Sequence, residues 1–278
     1  MKLISFEVKA QSYQSYGVLT DAGIVDLGKP TGQTDIKSIL QVEQLKILQQ
    51  QTFNTVHYQL DEIELLPVVP TPEKILCVGM NYADKCQEFN VQNTSPTIFI
   101  RFADSQAAHK EPLIKPKIAN EFDFEGEMAV IIGKTGRHIK EEDALDFVAG
   151  YSCYMDGSVR DWQNSSITAG KNWPKTGAFG PCLVTTDDIP DPHNLTIQTF
   201  LNGQTVQSDH TSNMMDKIPY LLSYISTFTE LNPGDVILTG SPGGVGKKRT
   251  PPLFLKKGDV IEVEIEKIGR LSNIIDEQ

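Results

Sequence analysis

Acidic residues alternate along one short segment of the chain in a pattern that suits metal binding. Glu121, Asp123, Glu125 and Glu127 recur at every second position of NEFDFEGEMAVII. In an extended strand such residues point to one face, where their charges repel unless water screens them or a cation lies among them. Oxygen ligands of this kind suit Mg²⁺ or Mn²⁺ better than zinc. The spacing alone leaves two interpretations open, a metal site and a solvated acidic strand face.

A second pair of carboxylates follows a different apolar run. Asp156 and Asp161 come directly after VAGYSCYM in the segment DGSVRDWQ, and Arg160 stands beside them. Segments that follow a rigid strand often carry functional residues, so these carboxylates are candidates for a site. Asp-Gly is also a common turn sequence, and a purely structural role stays open.

A glycine-rich segment, GSPGGVG at residues 240–246, follows the apolar run VILT. Its backbone N–H groups could bind an anion. The segment has neither the P-loop spacing nor the G-x-G-x-x-G spacing of nucleotide-binding loops. The sequence therefore favours a tight structural turn here.

The remaining reactive residues show no recognised pattern. Segment 81–88, NYADKCQE, predicts a short helix on which Lys85 and Glu88 form an ordinary i,i+3 ion pair. The five histidines have no metal-ligand spacing, and no G-x-S-x-G motif is present. The four cysteines include no C-x-x-C pair, which disfavours a zinc knuckle, a thioredoxin-type centre and a disulfide framework, so we expect buried thiols.

Length and charge narrow the class of protein. The 278 residues allow one large domain or a small domain joined to a larger one. The net charge of −11 repels nucleic acid and anionic lipid, so we expect neither as a partner. No run reaches the roughly 18 apolar residues of a transmembrane helix, and the N-terminus has no signal-like apolar region. These features predict a cytoplasmic protein without a membrane partner.

The first 70 residues predict a small α+β domain. Residues 3–8, 17–20 and 23–27 are β-prone runs, and the last two are joined by a turn typical of a hairpin. Asp35 is a candidate N-cap for one amphipathic helix that extends to Leu48. The proline-rich segment LLPVVPTPEK that follows predicts an extended linker and a domain boundary near residue 70.

Residues 71–278 predict a β-rich domain. One long helix is expected, with Asp216 as its cap and an apolar stripe from Ile218 to Phe228. Because strands do not alternate regularly with helices, a doubly wound sheet and a TIM barrel are disfavoured. The predicted strands are 75–79, 97–102, 127–132, 148–155, 195–201, 236–239 and 260–265.

Taken together, five of these segments resemble the fumarylacetoacetate hydrolase family, in particular its shorter bacterial members. The family pattern runs N-Y-x-x-H-x-x-E, D-[FY]-E-x-E-[LM], D-x-S-x-R-D-x-Q, G-K-N-[FW] and T-G-[ST]-P-x-G-V-G. The chain has matching segments in the same order, namely NYADKCQE, DFEGEM, DGSVRDWQ, GKNW and TGSPGGVG. The resemblance covers about residues 70–270.

The resemblance implies a β-rich α+β fold, a mixed β-sandwich roll with a small N-terminal α+β domain, assembled as a homodimer. It implies one Mg²⁺ or Mn²⁺ held by Glu125, Glu127 and Asp156, which match the family's metal ligands. Glu121 and Asp123 then make no direct contact with the ion.

The resemblance also implies an activity. Family members cleave or rearrange small 2-oxo acids. The resemblance therefore predicts that this chain is a divalent-metal-dependent hydrolase that cleaves a C–C bond in a 2,4-dioxo acid of acylpyruvate or fumarylpyruvate type. Metal chelation polarises the C2 carbonyl and holds a metal-bound enolate, which Lys171 is expected to stabilise. The residues expected to contact the substrate are Tyr82, Arg101, Asp104, Ser105, Arg160, Gln163 and Ser241.

One departure from the family pattern affects the expected chemistry. Lys85 stands where the family has a histidine, whereas the partner glutamate is retained as Glu88. The histidine–glutamate pair activates water, and a lysine beside Glu88 is expected to stay protonated unless it is buried. Three hypotheses remain: Glu88 alone serves as the base of a hydrolase, the protein is an oxaloacetate-type decarboxylase or hydroxymuconate-type isomerase, or it binds metal and ligand without catalysis.

Overall fold

The chain is built around one large mixed sheet. The computed structural model describes residues 1–53, 55–92 and 94–278. The sheet has the strand order β3-β2-β1-β13-β11-β10-β16-β5-β6, with β4 paired to β1 and β7 paired to β13. Its strands are β1 (Lys2–Val8), β2 (Tyr13–Thr20), β3 (Gly23–Asp26), β4 (Ile63–Leu65), β5 (Ile75–Gly79), β6 (Thr97–Arg101), β7 (Gln106–Ala107), β10 (Gly126–Ile132), β11 (Val148–Met155), β13 (Gly177–Thr185) and β16 (Val236–Leu238).

A second sheet of five strands lies against this one. Its order is β15-β14-β17-β18-β8, and β17 and β18 contact β11 and β13 of the large sheet. Its strands are β8 (Leu113–Lys115), β14 (Thr196–Leu201), β15 (Gln204–His210), β17 (Val260–Ile265) and β18 (Gly269–Glu277), and a separate pair is formed by β9 (Phe122–Asp123) and β12 (Ser158–Val159). Two facing sheets give the β-rich α+β fold that the sequence predicts.

The two sheets lie in close contact at Gly126. A Cβ atom on this residue would overlap the Thr199 hydroxyl oxygen and press on Val263. Glycine is therefore favoured at this point, because a side chain would have to displace the buried Thr199 hydroxyl of the facing sheet. The feature matters for the site because Gly126 separates Glu125 from Glu127 in the sequence.

The helices are short except for one. They are α1 (Gly28–Thr31), α2 (Val42–Gln49), α3 (Ala83–Phe89), α4 (Arg160–Gln163), α5 (Ile167–Lys171) and α6 (Ile218–Phe228). The predicted long helix is α6, but its N-cap is Lys217 and not Asp216. The backbone N–H of Asp216 instead donates to the Asn81 side chain at 2.7 Å, which holds the residue outside the helix.

The N-terminal strands are confirmed, but they do not form a sheet of their own. Strand β1 pairs antiparallel with β13, with Leu3 opposite Leu183, so β1–β3 extend the large sheet. The division of the chain at residue 70 stays a prediction.

The prediction of one helix from Asp35 to Leu48 was wrong. Asp35 does cap a turn, accepting from the Lys37 N–H at 2.9 Å, but that turn is a 3₁₀ helix that ends at Ile39. Helix α2 begins separately, because the N–H of Val42 donates to the Gly133 carbonyl of the large sheet at 2.9 Å.

We expect the N-terminal strands and the rest of the chain to unfold together. Leu3 is fully buried, so Leu3→Ala should lower the free energy of unfolding by about 3 kcal/mol. Urea unfolding followed by tryptophan fluorescence is the test, since both tryptophans, Trp162 and Trp173, lie beyond residue 70. Ile47→Ala is the control because Ile47 is 61% exposed. A fluorescence transition that Leu3→Ala does not shift would show that the N-terminal strands unfold independently.

Candidate active site

Three carboxylates lie together at the place in the large sheet where β10 begins and its neighbour β11 ends. Glu125 precedes β10, Glu127 lies within it, and Asp156 follows β11, its antiparallel neighbour. The backbone N–H of Asp156 donates to the Glu125 carbonyl at 2.8 Å, which fixes the two strand ends together. One oxygen from each carboxylate lies within 4.8 Å of the others, and all three residues are buried. The structure thus brings together the three residues expected to bind metal.

The other two acidic residues of the alternating segment point elsewhere. Asp123 accepts from the N–H of Gly246 at 2.7 Å and from the guanidinium of Arg160 at 2.8 Å, and Glu121 pairs with Lys247 at 2.9 Å. The alternation fails because the segment is not one strand. Strand β9 ends at Asp123 and β10 begins at Gly126.

Basic side chains surround the three carboxylates. The ammonium of Lys171 lies 2.5 Å from both Glu125 Oε2 and Asp156 Oδ2. Arg101 donates to Asp156 Oδ1 at 2.5 Å, whereas Arg160 and Lys85 donate to Glu125 Oε1 at 2.8 and 2.5 Å. Burial of these four basic groups is tolerable because each is paired with Glu125 or Asp156.

Glu125 and Glu127 lie in opposite electrostatic environments. Burial alone would raise the pKa of Glu125, but Arg160, Lys171 and Lys85 outweigh burial and hold this pKa well below its ordinary value. Burial raises the pKa of Glu127 well above its ordinary value, and the nearby Asp156 and Glu125 raise it further. Glu127 Oε2 accepts from the Gly240 N–H at 3.0 Å, and among the described residues no lysine or arginine forms an ion pair with Glu127. Glu127 therefore carries the least compensated negative charge of the three.

A cavity of about 100 Å³ opens onto this cluster. Of the residues that the sequence singled out, six line its wall: Lys85, Glu125, Glu127, Arg160, Gln163 and Lys171. Six further lining residues were missed: Val78, Gly79, Met80, Thr97, Phe99 and Ile167. Four of these lie on strands β5 and β6, Met80 directly follows β5, and Ile167 lies on α5, so only their closeness to predicted strands could have suggested most of them.

The other residues expected to contact substrate lie outside the cavity wall. Tyr82 is fully buried in the hydrophobic core, and its contact with substrate stays a prediction. Ser105 is also buried and accepts from Arg101 Nε at 3.3 Å, which orients the guanidinium toward Asp156. Arg101 itself is buried behind Asp156, and Asp104 is exposed. Ser241 faces Lys85 and accepts a hydrogen bond from its ammonium.

Lys85 and Glu88 do not form the expected pair. Helix α3 directs the ammonium of Lys85 inward to Glu125 and Ser241, whereas Glu88 Oε1 accepts from the Gly244 N–H at 3.1 Å. Glu88 Oε2 is buried without a hydrogen-bond partner. Burial raises the pKa of Glu88, although the Gly244 N–H opposes this shift.

The glycine loop, residues 240–246, is held by carboxylates of the chain itself. The N–H groups of Gly240, Gly243, Gly244 and Gly246 donate to Glu127, Asp84, Glu88 and Asp123. These four amides are therefore not available to an external anion. The sequence-based preference for a structural turn agrees with this arrangement.

Two other expectations concern the chain as a whole. All four cysteines are free and buried, as predicted. Within the described ranges, no helix combines the length and apolarity that a membrane span requires.

We expect Asp123 to contribute far more to stability than Glu121. Asp123→Ala removes the acceptor for the amides of Gly246 and the adjacent Lys247 and one partner of buried Arg160, so the free energy of unfolding should fall by about 3 kcal/mol or more. Glu121→Ala breaks an ion pair whose side chains are 36% and 34% exposed and should cost about 1 kcal/mol or less. Urea unfolding of both variants provides the comparison. Equal losses would contradict the assignment of Asp123 as the anchor of the loop.

The chain was compared with known proteins. The profile described as fumarylacetoacetate (FAA) hydrolase C-terminal matches residues 74–276. The mitochondrial oxaloacetate tautomerase of Xenopus laevis is 48% identical over 218 residues, covering 76% of this chain and 68% of the relative. That relative is named a mitochondrial protein, and the cytoplasmic location of this chain stays a prediction.

Solved structures agree in fold. The fumarylacetoacetate hydrolase of Exiguobacterium antarcticum matches with a TM-score of 0.88 and 31% identity over 100% of both chains. The maleylpyruvate hydrolase of Sphingobium sp. SYK-6, in complex with manganese(II) and pyruvate, matches with a TM-score of 0.84 and 26% identity over 100% of this chain and 99% of the other. The predicted fold class is confirmed, and the chain belongs to the fumarylacetoacetate hydrolase family.

Proposed function

We propose that the protein is a divalent-metal-dependent enzyme that interconverts the enol and keto forms of a 2-oxo dicarboxylic acid of the oxaloacetate type. The observation that carries this proposal is the separation of Lys85 from Glu88. They occupy the positions of the family's water-activating histidine–glutamate pair, of which only the glutamate is retained, and they face different partners. Moving a proton between oxygen and C3 requires no attacking water, so this reaction suits the site better than hydrolysis. The name of the Xenopus laevis relative supports the same choice.

The donor set supports a divalent cation at Glu125, Glu127 and Asp156. The three carboxylates supply the hard oxygen ligands that Mg²⁺ and Mn²⁺ prefer. Glu127 has no ion-pair partner among the described residues, and burial together with repulsion from Asp156 and Glu125 raises its pKa, so a cation would relieve an unfavourable charge there. When bound there, the ion would polarise the C2 carbonyl of a 2-oxo acid as a Lewis acid. The manganese(II) and pyruvate in the Sphingobium structure support this assignment.

Lys171 is the residue that we assign to the developing negative charge on the substrate C2 oxygen. Burial alone would lower the pKa of Lys171, but Asp156 and Glu125 outweigh burial and raise it, so the side chain stays an ammonium. It lines the cavity and lies over the ring of Phe99 at 5.4 Å from the centroid. A fixed ammonium in a buried site stabilises an oxyanion without reorganisation.

Gln163 and Arg160 are assigned to substrate orientation. Both line the cavity, and Arg160 Nη1 donates to Gln163 Oε1 at 3.0 Å. That bond fixes the orientation of the Gln163 amide, whose NH₂ group can then donate to a substrate oxygen. The homodimer that the family resemblance implies stays a prediction.

A second candidate function, hydrolysis of a C–C bond in an acylpyruvate, is favoured by one observation. Glu88 Oε2 has no hydrogen-bond partner, and the pKa of Glu88 is raised, so this carboxylate could accept a proton from water alone. The names of the Exiguobacterium and Sphingobium relatives are those of hydrolases.

A comparison of two substrates separates the candidates. With Mg²⁺ or Mn²⁺ present, we expect rapid enol–keto interconversion of oxaloacetate, followed by ultraviolet absorbance, and little cleavage of acylpyruvates. Lys171→Met should slow the interconversion by about 10²-fold or more because it removes the ammonium from the C2 oxygen. Glu88→Gln should leave this reaction nearly unchanged. If acylpyruvate cleavage is the faster reaction and Glu88→Gln slows it by about 10²-fold or more, the hydrolase is correct instead.

The metal centre can be tested without turnover. We expect Glu127→Gln to weaken Mn²⁺ binding by at least about tenfold, since it removes one of three anionic ligands. Electron paramagnetic resonance of free Mn²⁺ measures the change directly. Glu121→Gln is a matched control from the same acidic segment, because Glu121 pairs with Lys247 away from the cluster. Equal Mn²⁺ affinity in the two variants would refute the assignment.

A further inference from the structure

Lys85 places a buried positive charge directly on one of the proposed metal ligands. Its ammonium lies 2.5 Å from Glu125 Oε1, also contacts the Ser241 hydroxyl, and belongs to a residue that is only 4% exposed. Arg160 donates to the same Glu125 oxygen, and Lys171 occupies the other. Both oxygens of Glu125 are therefore already bonded to cations.

A divalent ion that binds Glu125 must compete with these cations. Charges a few ångströms apart in a buried site are only weakly screened, so each neighbouring cation opposes the arrival of the ion. The opposition persists unless the cation can move away.

Lys85 differs from the other two cations in what else it binds. Arg160 is also tied to the carboxylate of Asp123, and Lys171 to that of Asp156. Besides its ion pair with Glu125, the ammonium of Lys85 donates a hydrogen bond to the neutral hydroxyl of Ser241. The charge of Lys85 is therefore balanced at Glu125 itself, which makes Lys85 the direct competitor of an ion there.

We propose that Lys85 acts through Glu125 to weaken the binding of the divalent ion at the carboxylate cluster. The proposal rests on the metal centre of the proposed function, and it concerns a residue that stands where the family pattern has a histidine. A neutral side chain at position 85 leaves Glu125 paired with Arg160 and Lys171 and removes one opposing charge from the ion. Lys85 is thus a positioning residue that sets how much free metal the protein needs.

The test is Mn²⁺ affinity of the full chain, measured by electron paramagnetic resonance of free Mn²⁺ with no substrate present. Lys85→Gln removes the charge, and Lys85→Arg retains it as the matched control. We expect Lys85→Gln to bind Mn²⁺ at least about tenfold more tightly than the unmodified protein, and Lys85→Arg to bind it about equally. Lys85→Met, which keeps the apolar stem, gives the same comparison if Lys85→Gln does not fold.

The possible outcomes separate this proposal from the proposed function. If the neutral variants bind Mn²⁺ no more tightly than the unmodified protein, or if Lys85→Arg changes as much as they do, the role of Lys85 is overturned while the metal centre stands. If neither the unmodified protein nor any variant binds Mn²⁺, the metal centre and the role of Lys85 both fail.

Discussion

The balance of charge around Glu125 is the interaction on which the rest of the site depends. Three cations converge on this one buried carboxylate, from helices α3, α4 and α5. An unpaired charge at such a depth would be costly, so the carboxylate and its partners must be buried together. The position of each helix is therefore coupled to the others through a single side chain. Lys171 extends the coupling to Asp156, and with it to the end of strand β11.

Carboxylates also shape the backbone around the cavity. Asp84 and Glu88 on α3, Asp123 beside the cluster and Glu127 within it all accept hydrogen bonds from amides of the glycine loop. Charged acceptors form stronger hydrogen bonds to amides than neutral ones do, so the loop is fixed at several points. Many of the acidic residues in these motifs therefore hold the backbone in place, and only some of them are available for binding metal.

The sequence predicted what depends on local pattern. Strands such as 127–132 and 148–155 were found because their apolar runs are continuous, whereas β13 was missed because GAFGPCLVT contains glycine and proline, which strands usually avoid. Resemblance to a family selected Glu125, Glu127 and Asp156, which alternation alone could not distinguish from Glu121 and Asp123. The partners of Lys85 and Glu88 could not be predicted, because packing sets them: Lys85 contacts Glu125, 40 residues away along the chain, and both residues also contact the glycine loop, 156 residues away.

Gly126 ties the chemistry of this protein to its architecture. The residue separates two proposed ligands, and a Cβ atom added to it would overlap the Thr199 side chain of the facing sheet. A substitution of Gly126 would disturb the packing of the core as well as the carboxylate cluster. The same residue is therefore constrained both by folding and by the proposed catalysis. New specificities are accessible instead at Thr97 and Ile167 on the cavity rim, where side chains are not enclosed by both sheets. Substitutions that reshape the cavity without disturbing the core are therefore expected at these exposed residues and not at Gly126.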